Sequence, residues 1–368
     1  MSHWQERGDN EVDFSAASFY AAALGPIGTA RMLPPAVFRS LAFSQFEDLA
    51  VWTRHWICVG VHEDVAALND LLPFTIGTHG IHVQRVASGL LARFNKAQHG
   101  GCRLVPVQCR TGTKTPCSFT SCGYSRDRGP ILAGELGDGT PQMHQYLGLR
   151  PERLLTAVVD SKGPLIFVNL DTAPAELAAS LSALDRSFPL FTDDGHARLA
   201  TLWAEHKANW KLLALELLGD VSPGSEEARS DSCFVARANE FGGDGLKVAW
   251  LFPNLVLLAD AHETCAVVLQ PTAIGQTLCR VSLYGSAGGT EGAAARWRDR
   301  LASLARAAEA NHEMVARWGT ASLPETIGLE LPLQTRPQGL WMQDLLSRKA
   351  LSVGAAAVDL QRYEMSRM

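Results

Sequence analysis

Between Ile57 and about Tyr124, short β-rich runs of apolar residues (WICVGV, IHVQRV, LLARFN and CRLVPV) alternate with polar clusters of Gly, Asn and Thr. Alternation of this kind predicts short strands that pair as a small antiparallel barrel or sandwich. Ahead of them, residues 33–56 (LPPAVFRSLAFSQFEDLAVWTRHW) open on two prolines. They then place Phe43, Phe46, Leu49 and Trp52 at helical spacing, so a leading helix is expected. After the Gly-rich stretch GPILAGELGDGTPQ, which reads as a loop, RLLTAVVDSKGPLIFVNLD reads as two strands around a Ser-Lys-Gly turn.

The second half mixes periods. Residues 174–186 begin at a proline and repeat apolar residues at helical spacing. VAWLFPNLVLLAD, TCAVVLQPT and TLCRVSLYG are three strand candidates in succession. Behind GSAGGTEG, residues 293–318 put Trp297, Leu301, Leu304, Ala308, Val315 and Trp318 on one face, which predicts a long helix packed on a curved sheet. No internal repeat or heptad seam interrupts this order. The expected organisation is an N-terminal arm and leading helix over 1–56, a β domain over 57–150, an α+β domain over 151–345 and a C-terminal tail over 346–368.

With 368 residues, 46% of them hydrophobic and 19% charged, the chain is long enough for a large core in two domains. Its net charge of −5, with no basic run, lacks the footprint of a nucleic-acid partner. The opening MSHWQERGDNEVD carries acids where a signal peptide carries basic and apolar residues, and no apolar run of about 18 follows. A cytoplasmic protein without a membrane partner is expected. Eight cysteines in such a chain are expected as thiols or ligands rather than disulfides. Cys58, Cys233, Cys265 and Cys279 lie in or beside apolar runs and read as small buried hydrophobes, whereas Cys102, Cys109, Cys117 and Cys122 crowd into one stretch.

Several of these segments resemble, in order, those of the Rieske non-haem iron oxygenase α-subunits, the ring-hydroxylating and demethylating family. FEDLAVWTRHWICVG resembles the family's leading helix and first strand, and LIFVNLD the strand that leaves the Rieske domain. ANWKL resembles the start of the iron-bearing helix and WLFPN a strand of the catalytic sheet. With GTAS at 319–322 they span roughly residues 31–325. The resemblance implies an α+β fold: a small antiparallel Rieske-like β domain, then a helix-grip, START-like α+β domain of the catalytic type.

It also implies where two metal centres would sit. In the family, two Cys and two His hold a two-iron, two-sulfur cluster through C-x-H and C-x2-H loops. The corresponding positions here are Ala97 and His99 in the first loop, and Cys117 and Thr120 in the second, so each iron has lost one protein ligand. Aligning Cys122 instead leaves Ser125 at the histidine position. The family's mononuclear iron is held by two His on and after the NWK helix and by a distant Asp. Here NWKLLALELLGDVSPGSEEA places Ser222 and Glu227 at the histidines and Gly219 at or near the acid that links the centres. Glu309, within AAEANHEM, falls at the third ligand.

Rebuilt sites stay open as alternatives. His99, Cys102, Cys109, Cys117 and Cys122 offer zinc or altered-cluster ligands, against the reading of partly buried thiols. Glu226, Glu227, Glu309 and His312 offer an acid-rich iron site, against the reading of solvated helix faces. No P-loop, dinucleotide fingerprint or G-x-S-x-G is present. Retained scaffold with lost ligands implies a pseudoenzyme without cofactor, a structural or regulatory subunit in a hetero-trimer or hetero-hexamer with an active Rieske oxygenase chain. The alternatives are an oxygenase with a rebuilt iron, iron-sulfur or zinc site, and a binding protein for apolar small molecules.

Overall fold

The computed structural model describes residues 12–94, 155–185, 188, 196–239, 245–286, 292–317 and 336–365, the last twelve of these by backbone alone. The chain divides into two compact units, residues 52–180 with 189–192, and residues 1–51, 181–188 and 193–368.

The first unit is a six-stranded antiparallel sheet in the order β1-β6-β5-β4-β3-β2. Its strands are β1 (Ile57–Val61), β2 (Leu71–Ile76), β3 (His79–Val86), β4 (Gly89–Phe94), β5 (Thr156–Lys162) and β6 (Leu165–Asn169). Every residue of β1, β2 and β6 is buried, which is why their sequences read as nearly continuous apolar runs. The outer strands β1 and β2 approach each other and bring the sheet toward a barrel. Gly60 makes the approach possible: a Cβ there would stand 2.6 Å from Cδ2 of Leu72, which is fully buried.

Two sequence expectations change here. The Ser-Lys-Gly hairpin forms, with Lys162 paired to Leu165 around Gly163 and Pro164. It completes the first sheet, however, through Val168 opposite Ile57 and Ala157 opposite Ala92. The expected boundary at 150 therefore cuts through a sheet, and the division falls instead within α4 (Leu177–Asp185). Strand pairing between distant segments, not composition, sets that boundary.

The second unit is built on a seven-stranded antiparallel sheet, ordered β7-β13-β12-β11-β10-β9-β8. Its strands are β7 (His196–His206), β8 (Asp220–Arg229), β9 (Cys233–Asn239), β10 (Leu246–Leu251), β11 (Leu255–Ala259), β12 (Glu263–Ala273) and β13 (Gln276–Ser286). VAWLFPNLVLLAD is thus two strands rather than one. Pro253 has no N–H to offer a ladder, and Trp250 Nε1 closes the turn by donating to the Pro253 carbonyl at 2.9 Å.

Helices α5 (Trp210–Leu217) and α6 (Ala293–Ala316) pack on each other, and α6 also meets β7. On α6 the expected stripe holds at Trp297, Leu301, Ala308 and Val315, while Ala305 takes the buried place expected of Leu304, which is half-buried. The expected leading helix is broken into α2 (Ala36–Arg39), α3 (Leu41–Glu47) and a π-turn over Asp48–Trp52. Ser40 is extended, and its hydroxyl accepts from Phe43 N to start α3. The wider π-turn shifts the phase of the stripe, so Leu49 is 58% exposed.

The boundary expected at 345, between domain and tail, falls inside a helix: α7 runs Pro337–Met365 and buries Trp341, Met342, Leu345, Leu346 and Ala350. Gln343 on α7 ties down the N-terminal arm, donating to the carbonyls of Ala23 and Arg31 and accepting from Leu33 N. Among the described residues, no helix is long and apolar enough to cross a membrane.

Candidate functional site

The segment that should carry the mononuclear iron begins with α5. Asn209 caps it, its Oδ1 accepting from Lys211 N at 3.1 Å while its Nδ2 donates to the carbonyls of Phe38 and Ile274. All eight residues of α5 are buried, the charged Lys211 and Glu216 included. Buried charges persist only when paired and hydrogen-bonded, and both are. Lys211 Nζ lies 2.7 Å from Glu47 Oε1 on α3, and Trp210 Nε1 donates to Glu47 Oε2 at 3.0 Å. The Lys211 ammonium also lies 4.8 Å from the Trp210 ring centroid. Burial nonetheless pulls its pKa below the ordinary lysine value. Glu216 Oε1 accepts from Asn311 Nδ2 of α6 at 2.8 Å, and its Oε2 lies 3.4 Å from Arg336 Nη1. Burial raises the Glu216 pKa, and Arg336 and Asn311 oppose that rise.

Past Leu217 the sequence-based expectation fails. Gly219 has φ +68, the left-handed conformation that ends helices, and the chain leaves as strand β8. Ser222 and Glu227 therefore sit on an edge strand, not on or after a continuing helix. Val221 pairs with Ala238 and Glu226 with Ala236, so residues 222–225 bulge opposite Arg237 alone. Ser222 Oγ accepts from Asn239 Nδ2 at 2.6 Å, and its carbonyl accepts from Ser225 Oγ. GSEEARSDS is the end of this strand and the turn into β9.

Glu227 is committed to the sheet. Its two oxygens lie 2.9 Å from Arg237 Nε and 3.0 Å from Lys247 Nζ. Arg237 and Lys247 are direct cross-strand partners, an arrangement of like charges that is unfavourable without an intervening anion. Among the described residues, Glu226 pairs only with Arg229, at 3.5 Å. Glu309 belongs to the other side of the sheet: its Oε1 accepts from Lys207 N at 3.0 Å, just past β7, and lies 3.6 Å from His206 Nδ1. His312 packs against Gly275 in the β12–β13 turn, and its buried Nδ1 has no hydrogen-bond partner among the described residues. Burial lowers the pKa of His206 and of His312, the latter further through Lys211 and Arg39.

Ferrous iron does not fit this donor set. Ser222 and Glu227 lie on one edge strand and Glu309 is fixed beside the opposite one. Glu227 is shared between two cations, and among the described residues no imidazole joins it in a metal-binding group. Among the described residues, no group of three or more His, Cys, Asp or Glu stands together to hold a metal ion, so Glu226, Glu227, Glu309 and His312 do not assemble as a site. Ala97, His99, Cys102, Cys109, Cys117, Thr120 and Cys122 lie outside the described residues. Cys58, Cys233, Cys265 and Cys279 are buried as expected, and burial alone pushes the Cys233 thiol up to about 12.

Three polar clusters escaped the sequence reading: Glu47 with Trp210 and Lys211, Glu216 with Asn311 and Arg336, and Glu263 with Arg296 and Trp297. In the last, both Glu263 oxygens accept from Arg296 Nη2, and Oε2 also accepts from Trp297 Nε1. The available signal was local: a charged residue at a helical core position, as in WKLLALEL, requires a partner from elsewhere.

No family model matches the sequence, and no curated protein matches it. Solved structures do. A quaternary ammonium Rieske monooxygenase, CntA, in its apo form superposes with a TM-score of 0.60 at 15% identity, over 90% of this chain and 98% of that one. A quaternary ammonium Rieske monooxygenase described for carnitine oxidation by gut microbiota and inter-subunit electron transfer gives 0.58 at 14%, over 86% and 94%. Naphthalene 1,2-dioxygenase from Rhodococcus sp., bound to indole, gives 0.56 at 13%, over 91% and 98%. The chain thus has the fold of the Rieske oxygenase α-subunits along nearly its whole length.

Proposed function

We propose that this chain is a non-catalytic α-subunit-like protein that assembles with a related, iron-bearing Rieske oxygenase chain and stabilises or regulates it. The observation that carries this reading is the use of Glu227. The residue at a family histidine position is the anion that lets Arg237 and Lys247 face each other across β9 and β10, so a ligand position has become part of the scaffold. Conservation of fold with loss of site chemistry is the pattern of a partner rather than a catalyst. The inter-subunit electron transfer described for one structural relative supports an origin in an assembly with built subunit contacts.

An oxygenase with a rebuilt mononuclear site is less well supported. His206 beside Glu309 supplies one imidazole and one carboxylate, too few for a two-His, one-carboxylate face.

Native mass spectrometry of the protein purified from its own host tests the proposal. The expected result is a hetero-trimer or hetero-hexamer with iron carried by the other chain. A homo-oligomer with stoichiometric iron or zinc on this chain refutes it.

A further inference from the structure

Arg336, just ahead of α7, faces three acceptor oxygens at the passage from α5 to β8. Its Nη1 lies 3.4 Å from Glu216 Oε2 and donates to the Gly219 carbonyl at 3.2 Å. Its Nε stands 3.8 Å from Asp220 Oδ1. The fully buried Gln338 donates Nε2 to the same Gly219 carbonyl at 3.0 Å. Two carboxylates and a main-chain carbonyl are thus arranged around one guanidinium, oxygen groups of the kind that hard cations attract. The negative end of the α5 dipole adds to the attraction. Gly219 is also the residue that the family resemblance puts at or near the acid linking the two metal centres.

We propose that Arg336 is the built-in cation of this site: it supplies the positive charge that anchors the end of α5 and makes the fold of this unit independent of a bound metal. A guanidinium suits the role because it is always charged and presents several donors in a fixed fork. Removing it leaves the Glu216 carboxylate buried with Asn311 as its remaining partner among the described residues, and an uncompensated buried charge is strongly unfavourable. The inference rests on the ligand loss behind the proposed function, but not on any partner chain. An absent hetero-oligomer would sink that reading and leave this one standing.

Thermal melts of the full-length chain test it, with wild type compared in the presence of a chelator and of added ferrous iron. Arg336→Ala, Glu216→Gln and the double variant complete the set. Wild type is expected to melt at one temperature with and without metal. Arg336→Ala is expected to fall by about 4–8 °C, the loss of charge-assisted bonds expressed as a melting shift. Glu216→Gln is expected to recover part of that loss in the double variant, because a neutral amide needs no counter-ion; a role in packing alone predicts no recovery. If Arg336→Ala does not fold, Arg336→Lys with and without Glu216→Gln carries the same comparison. The proposal is overturned if chelation lowers the wild-type melting temperature. It is equally overturned if the arginine variant melts with wild type, or if the double variant is no more stable than the arginine variant alone.

Discussion

Replacing Glu47 by Gln removes one charge from the most deeply buried ion pair described, and the structure sets the scale of the response. Lys211 is 0% exposed and the Glu47 side chain 5%, at 2.7 Å separation. Breaking such a pair costs about 3–5 kcal/mol, because the remaining charge stays buried without compensation. The amide has one acceptor oxygen where the carboxylate served two donors, Lys211 Nζ and Trp210 Nε1, so one donor faces an NH2 group. Guanidinium unfolding of the full chain, followed by circular dichroism and tryptophan fluorescence, reads the change as a lower midpoint at unchanged slope.

Two further readouts separate charge from packing. Lys211→Met in the Glu47→Gln background removes the stranded cation and should return stability to within about 1–2 kcal/mol of wild type, since apolar replacements of buried pairs are close to neutral. In the single variant Lys211 loses the carboxylate that holds its pKa up, so the folded value drops further below the unfolded one. The unfolded chain then binds more protons between the two values, and the deficit shrinks as pH rises through that window. A Glu47→Gln cost below about 1 kcal/mol, or a double variant less stable than the single one, refutes the reasoning.

Glu227→His leaves Arg237 and Lys247 facing each other without their shared anion. Because Arg237 is 61% exposed, the expected loss is only about 0.5–1 kcal/mol, seen as a lower melting temperature that high salt reduces. A variant as stable as wild type at low salt contradicts this reading. Gly60→Ala drives a Cβ into Leu72, whose side chain is fully buried and has no room to retreat. A loss of about 1–3 kcal/mol should appear in denaturant unfolding, and an unchanged midpoint would show that β1 and β2 do not meet this closely. His62, His206 and His312 all have folded pKa values below 6.5, with burial the leading cause. As pH falls below that unfolded value the unfolded chain takes up protons first, so stability should decline on acidification through the folded values. Melting temperatures that rise over this range would reverse the sign.

By itself the sequence determined the elements whose cause is local. The α6 face from Trp297 to Val315, the hairpin around Gly163 and the β-rich runs that become β1, β3 and β4 follow from hydrophobic pattern and turn chemistry, which neighbours along the chain decide. That Ser222 and Glu227 carry no imidazole is legible in the same way, because ligand chemistry is a property of residue type. Only the tertiary structure decided what depends on distant segments. It gave β5 and β6 to the first sheet through their pairing with β4 and β1, and it gave β8 to the edge of the second through β9. The α7 stripe at Trp341, Leu345 and Ala350 is present in the sequence, but its helix runs across the boundary expected at 345. The partners of Lys211, Glu216 and Glu227 were not present locally at all. A buried charge announces that it needs a counter-charge, but Glu47 lies 164 residues from Lys211 and Arg336 lies 120 from Glu216. Only folding brings such pairs within reach, so the partner of a buried charge is a tertiary fact.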